Sequence, residues 1–240
     1  IDPVKKEVAV HSLESGQKYT LSYDKLVLSP GASPVVPPIP GVERALTLRT
    51  VEDVERIVNR VLQKPESAVV IGGGFIGVEI AENLIHKGIK TAVIEAADQV
   101  LAPLDPEMAT LVAKEMRLQK VDLRLGAGVT SINEKSVTLA SGDELPADLV
   151  IMAIGVKPDV SLAKEAGLTI GTRNGIAVDE FNRTSSHDIY AIGDVAEKTD
   201  ALDGSATLVP LANIANRHGR IVADHINGRT IRQVKTIGTA

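Results

Sequence analysis

An α/β fold built on a parallel sheet is predicted for this chain by three observations. Short apolar runs alternate with stretches of helical periodicity across residues 67–125. One of these runs, Ala68-Val69-Val70-Ile71, ends in glycines at 72, 74 and 77 and passes directly into a helical pattern. The chain is 44% hydrophobic, yet three Tyr and two Phe are its only aromatic residues, so its core must be aliphatic. An interior of Val, Ile, Leu and Ala suits parallel strands covered on both faces. Together these features predict a Rossmann-like, doubly wound parallel sheet with an inserted β-meander.

The elements follow in order. Residues 7–11 and 18–22 alternate around the turn Glu14-Ser15-Gly16 and read as strands, with a third over 23–28. Pro30, Pro34, Pro37, Pro38 and Pro40 fall within eleven residues. They exclude regular helix and stiffen the path, as in a linker. Val54, Ile57, Val58 and Val61 place a helix over 51–62. Strand 67–71 is followed by helix 75–87, closed by Gly88, and then by strand 90–95. Asp105-Pro106-Glu107 opens helix 105–119, with Pro in the first turn, and strand 121–125 comes next. Three alternating runs at 128–133, 135–140 and 144–146 form the meander, the last two joined by Ser141-Gly142-Asp143. Residues 147–154 return as a buried strand that ends at Gly155 and is broken by Lys157-Pro158. Strand-like pieces at 169–171 and 175–178 precede the run 186–194, and an amphipathic helix over 210–227 stops at Gly228. The expected domains are residues 1–44, 45–157 and 158–240.

The glycine segment carries the chemistry. Gly72 permits a tight turn, Gly74 lets backbone approach a pyrophosphate, and Gly77 lets helix and strand pack closely. Gly73, Phe75 and Ile76 lie between them, at the mouth of the helix. The amides of that helix N-terminus, with its dipole, suit an anion. Eighteen residues after Gly77 the next strand ends in Glu95, where a carboxylate can accept bonds from ribose hydroxyls. A 2′-phosphate beside Glu95 would be repelled, and Ala96, Ala97 and Asp98 supply no cation. NAD(H) is therefore favoured over NADP(H).

Other classes recede. The net charge of −5 carries no basic block, which argues against a nucleic-acid partner. No apolar run reaches the roughly 18–20 residues a membrane span needs, so a soluble, cytoplasmic protein is expected. With no cysteine, the chain forms no disulfide and performs no thiol chemistry itself. Its five histidines lack ligand spacing. His218 and His225, seven apart on the last helix, are expected to face solvent. No metal site and no catalytic residue are expected.

Four separated segments resemble one family. They are Leu28-Ser29-Pro30-Gly31-Ala32, the Gly72–Gly77 fingerprint, Ala147-Asp148-Leu149-Val150-Ile151-Met152-Ala153-Ile154-Gly155, and Ile189-Tyr190-Ala191-Ile192-Gly193-Asp194. In this order and spacing the chain resembles the FAD- and NAD(P)H-dependent pyridine nucleotide–disulfide oxidoreductases. The wording of 28–42 and 211–220 is most similar to the coenzyme A-disulfide reductase, NADH oxidase and persulfide reductase branch.

The resemblance implies roles. Asp194 would bind the ribityl hydroxyls of FAD, and Ser29, Pro30, Gly31 and Ala32 would pass beside the flavin with Arg49 nearby. Leu211, Ala212 and Asn213 would present helix N-terminal backbone to the flavin, although many relatives carry Gly where Asn213 stands. Gly155 and Ile76 would flank the nicotinamide, and Phe75 stands where relatives often gate the flavin face with an aromatic ring. Glu79 is read as an inter-domain partner and Glu82 as surface. The resemblance also implies that a disulfide, persulfide, oxygen or peroxide is the electron acceptor and that the intact enzyme is a homodimer.

Against that pattern the chain reads as an internal piece. It has one glycine fingerprint, not two, and lacks the reactive cysteine. The C-terminal dimerisation domain that the resemblance implies after about residue 235 is expected to be missing. This polypeptide is expected to bind NAD(H), to hold FAD poorly, and either to expose apolar faces along 4–28 and 160–228 or to cover them with a second copy of the chain.

Overall fold

Five parallel strands lie in the order Leu46–Thr47, Leu149–Met152, Ser67–Ile71, Lys90–Ile94 and Asp122–Arg124. Leu46, Ile151, Val70, Val93 and Leu123 are paired in register from edge to edge, one aliphatic rung across the whole sheet. The sheet belongs to a computed structural model that describes residues 1–229. The chain divides into two units: Pro34–Val156, which holds this sheet, and Ile1–Ser33 with the segment from Lys157 onward.

The sheet of the first unit is covered differently on its two faces. The rung packs against helices α1 (Val51–Leu62), α2 (Phe75–His86) and α3 (Pro106–Leu118), through Ile57, Val61, Ala81, Leu84, Ala113 and Met116. The opposite face, with Val69, Ile71, Ile94, Val150 and Met152, is closed by Ile132, Val137 and Leu139. These come from the antiparallel meander Val129–Ile132, Ser136–Leu139 and Glu144–Pro146. Period-2 strands whose residues on both faces are apolar can bury nothing less. The α1 helix starts on a capping box: the Thr50 hydroxyl accepts from Asp53 N–H, and the Asp53 carboxylate accepts from Thr50 N–H. Asp53 also accepts from Arg49 N–H and Arg56, which explains a charged residue only 7% exposed.

In the second unit, Leu26–Leu28 and Ile189–Ala191 pair in parallel. Ile176–Ala177, Ala196–Thr199 and Ala206–Thr207 form a mixed sheet. A hairpin joins Glu7–His11 to Lys18–Ser22. The core gathers Leu28, Val160, Ala163, Leu168, Ile189, Ala191 and Val195. Asp188 receives Lys25 Nζ at 2.5 Å and also pairs with Lys6 and His187, so its carboxyl sits well below the usual carboxylate range. Some apolar side chains remain exposed, Val4, Leu13 and Leu21 among them. The helix α5, Ala212–Ile226, ends before Gly228 at φ +67°.

The structure departs from the sequence expectations at several points. Residues 23–25 turn, and the third strand starts at Leu26, because Tyr23 N–H bonds back to Lys6. Lys157-Pro158 does not break the chain's extended path: Val156–Pro158 is itself a strand after the bend at Gly155. The short helix α4, Ser161–Glu165, has too few residues for periodicity to announce it. His218 does not face solvent. It is 4% exposed on the inner face of α5 with Ile221 and Val222, one helical repeat from Ile214. His225, two turns on, stacks on Phe181 with ring centroids 4.7 Å apart. The region about residue 235 lies outside the described residues.

Candidate functional site

Gly72 to Gly77 bridge the end of strand Ser67–Ile71 and the start of α2, with φ of +111° at Gly72. A Cβ at Gly72 would sit 2.4 Å from the Ala153 carbonyl oxygen, and one at Gly77 would sit 2.0 Å from that of Gly72. Neither position admits a side chain. Gly74 is the opposite case, since a Cβ there would meet nothing within 4 Å. Gly74 caps α2 with backbone alone, and among the described residues no side-chain hydrogen bond caps the helix. An open space in front of uncapped amides fits a phosphate group.

Glu95 closes the other side. One of its oxygens accepts from Gly73 N–H at 2.6 Å and the other from Ala97 N–H at 2.8 Å. Each carboxylate oxygen keeps a further lone pair for an incoming hydroxyl. The cation on the neighbouring strand, Arg124, is committed to Asp122 through two bonds of 2.7 and 3.0 Å. Strand Ser67–Ile71 is flanked by 90–94 on one side and 149–152 on the other, so the strand order reverses at the glycine bend. Open α/β sheets bind ligands at such a reversal, outside the carboxyl ends of the strands.

Other expected residues reach the same sheet edge. Gly155 follows strand Leu149–Met152, bends at φ +109°, and accepts from Val35 N–H at 2.9 Å. Arg49 follows strand Leu46–Thr47, just before α1. Phe75, Ile76 and Ile154 are exposed there at 49%, 39% and 39%, an apolar surface beside the helix mouth.

The remaining expected residues gather in the second unit. Ser29 to Ala32 leave strand Leu26–Leu28, and Ile192 to Asp194 leave its parallel partner, with Ile192 N–H bonded to Leu28 at 3.0 Å. Gly31 accepts from Asp159 N–H. Asp194 lies in a 3₁₀ turn, Gly193–Val195, preceded by φ +74° at Gly193. A Cβ on Gly193 would touch the Ala215 methyl at 3.6 Å and Ser29 Oγ at 4.0 Å, so both loops and α5 meet at this residue. Leu211 is the N-cap of α5, Ala212 opens it, and Asn213 Oδ1 accepts from Ile214 N–H at 2.8 Å. A carboxylate on a turn beside a helix whose N-cap residue makes no side-chain bond can hold hydroxyls and an anionic edge together.

Sequence reasoning missed His218 here. Its Nδ1 lies 3.3 Å from Gly193 N and accepts that amide, one residue before Asp194. Burial, with the positive charges of Lys198 and Arg217, holds its pKa down to about 4. The signal was available in the spacing Ile214, His218, Ile221, His225, which follows one face of a helix. Among the described residues no cluster of His, Asp and Glu suits a metal ion, and no helix is long and apolar enough to cross a membrane.

Residues 1–219 match the family model described as pyridine nucleotide-disulphide oxidoreductase. An NADH oxidase of Methanocaldococcus jannaschii is 36% identical over 222 residues, which are 90% of this chain and 49% of that protein. Among solved structures, reduced Bacillus anthracis CoADR-RHD superposes with a TM-score of 0.95 at 44% identity, over 99% of this chain and 44% of that one. A NAD-dependent persulfide reductase from A. fulgidus gives 0.94 at 38% identity, over 100% and 46%. The chain spans about half the length of the curated relatives it matches.

Proposed function

The chain belongs to the pyridine nucleotide-disulphide oxidoreductase family, and from that premise we propose that it is the NADH-binding part, with a share of the FAD site, of a flavoprotein reductase. The observation that carries this reading is the Glu95 carboxylate fixed 2.6 Å from the glycine bend, before an open helix N-terminus. In this reading the amides at Gly74 to Ile76 take the pyrophosphate, while Gly73 N–H holds Glu95, which takes the adenosine ribose. Gly155, Ile76 and Phe75 border the nicotinamide, and Arg49 belongs to the same edge.

In the second unit Asp194 holds ribityl hydroxyls. Ser29, Pro30, Gly31 and Ala32 line the flavin, and Leu211, Ala212 and Asn213 present backbone to it. The bound nicotinamide and flavin supply hydride chemistry; the residues of this chain supply position and electrostatics. NADH is preferred to NADPH because Glu95 would face a 2′-phosphate while Arg124 is already neutralised by Asp122.

For the whole protein, reduction of a coenzyme A disulfide or persulfide is the first reading of the acceptor. It is supported by the two structural neighbours at 44% and 38% identity. NADH oxidase or peroxidase activity is the second, supported by the archaeal relative. The same reading makes the whole protein a cytoplasmic homodimer with a small-molecule acceptor. Any thiol step involves residues outside these 240, which contain no cysteine.

Titration calorimetry of the chain with NADH and NADPH tests the reading. Saturable NADH binding, at least tenfold tighter than NADPH and lost in Gly74→Val, is expected. Absence of NADH heat at millimolar concentration overturns it.

A further inference from the structure

Four polar or charged side chains are buried in the second unit, and the proposed cofactor contacts use none of them: Asn182, Glu197, Lys198 and His218. Three of these have structural partners that account for them. Glu197 accepts from Arg173 and Gly175 N–H, while Lys198 donates to Asn182, which in turn donates to the Ala191 carbonyl. His218 is different. Its one bond among the described residues goes to the backbone of a turn that carries a proposed ligand-binding carboxylate.

We infer that His218 is a positioning residue for the flavin site: its neutral Nδ1 holds the Gly193 amide and thereby fixes the turn that aims Asp194. This rests on the reading of Asp194 given above. Three structural features support it. Gly193 stands at φ +74°, a left-handed conformation from which the chain can swing unless it is tied down. The tie comes from α5, the same helix whose N-terminal residues Leu211 to Asn213 are assigned to the flavin, so one rigid element would set both groups of contacts. And the imidazole is kept in the acceptor form. It is 4% exposed, and the charges facing it, Lys198 from strand Ala196–Thr199 and Arg217 from α5, are both positive. With Nδ1 as acceptor, the ring proton resides on Nε2. A protonated ring would set a donor against a donor.

The test compares two substitutions in the full-length protein. His218→Leu fills similar volume without an acceptor, and His218→Asn returns an acceptor oxygen near the position of Nδ1. Amide exchange at Gly193 is read without flavin, and the FAD dissociation constant with it. At neutral pH, His218→Leu is expected to speed Gly193 exchange at least tenfold and to weaken FAD at least tenfold. His218→Asn should keep both within threefold of the parent. Equal behaviour of the Leu and Asn variants overturns the inference, because volume alone would then suffice. Asp194→Ala is the control. If it weakens FAD while His218→Leu does not, the positioning role is wrong and the flavin reading stands. If Asp194→Ala leaves FAD unchanged, the flavin reading fails and this inference fails with it.

Discussion

The two units bury opposite kinds of interior. Residues 34–156 close over an almost wholly aliphatic core, with Asp53 and Thr91 as the buried polar exceptions. The other unit buries Asn182, Glu197, Lys198 and His218, each joined to named partners. Hydrophobic burial is non-directional and tolerates many sequences of the right volume. A buried polar network specifies partners one by one and is costly when half satisfied. The first unit is therefore defined by pattern and the second by particular bonds.

That contrast can be broken or sharpened by substitution. The largest effect is expected where the first unit is tightest. Gly77→Val drives a side chain into the Gly72 carbonyl, 2.0 Å from the nearest Cβ position. Denaturant unfolding should show a loss of about 3 kcal/mol, with NADH binding abolished. The second unit should respond to acid instead. His218 has its pKa depressed from the ordinary 6.5 to about 4, so between those values the unfolded chain binds a proton that the folded chain does not. Stability should fall as pH is lowered from 6.5 to 4, by at most about 3 kcal/mol, and level off below. His218→Leu should flatten that stretch of the curve.

Next in size is the Lys198 pair. Burial pushes the Lys198 ammonium below its usual range, and Asn182→Ala removes the oxygen that receives it at 2.8 Å. A cost of about 2 kcal/mol is expected from the stranded charge, with partial recovery in Asn182→Ala combined with Lys198→Met. Complete additivity of those two changes would show that the network is not one unit. The smallest effect is local. Glu95→Ala should weaken NADH about tenfold, or about 1.4 kcal/mol, and narrow the gap to NADPH, as read by calorimetry.

The same contrast governs what the sequence reveals. Helix α1 and strands 67–71 and 144–146 lie where periodicity and turn chemistry put them, and α2 and α3 end within a residue or two. Each of these elements buries a regular apolar pattern. The glycine bend and Glu95 were legible because steric demands at 72 and 77 exclude every other residue. The second unit was harder. Its strands run two to four residues outside the hairpin, too short for alternation to register, and α4 is a single turn and a half. His218 was misjudged because a histidine on a polar-looking helix reads as solvated, whereas the bond that buries it reaches back 25 residues to Gly193. Long-range polar pairing leaves no local trace in a sequence.

The double tether of Glu95, one oxygen on Gly73 and the other on Ala97, has a kinetic corollary. The acid is already locked in one rotamer, so greeting a ribose costs it little further side-chain entropy, and no loop must close to bring it into place. In the reading proposed above, discrimination between the two pyridine nucleotides rests on this preorganised carboxylate. Re-engineering this chain toward the phosphorylated cofactor calls for cutting that anchor before adding a cation, since a new arginine alone would be captured by the carboxylate it was meant to replace.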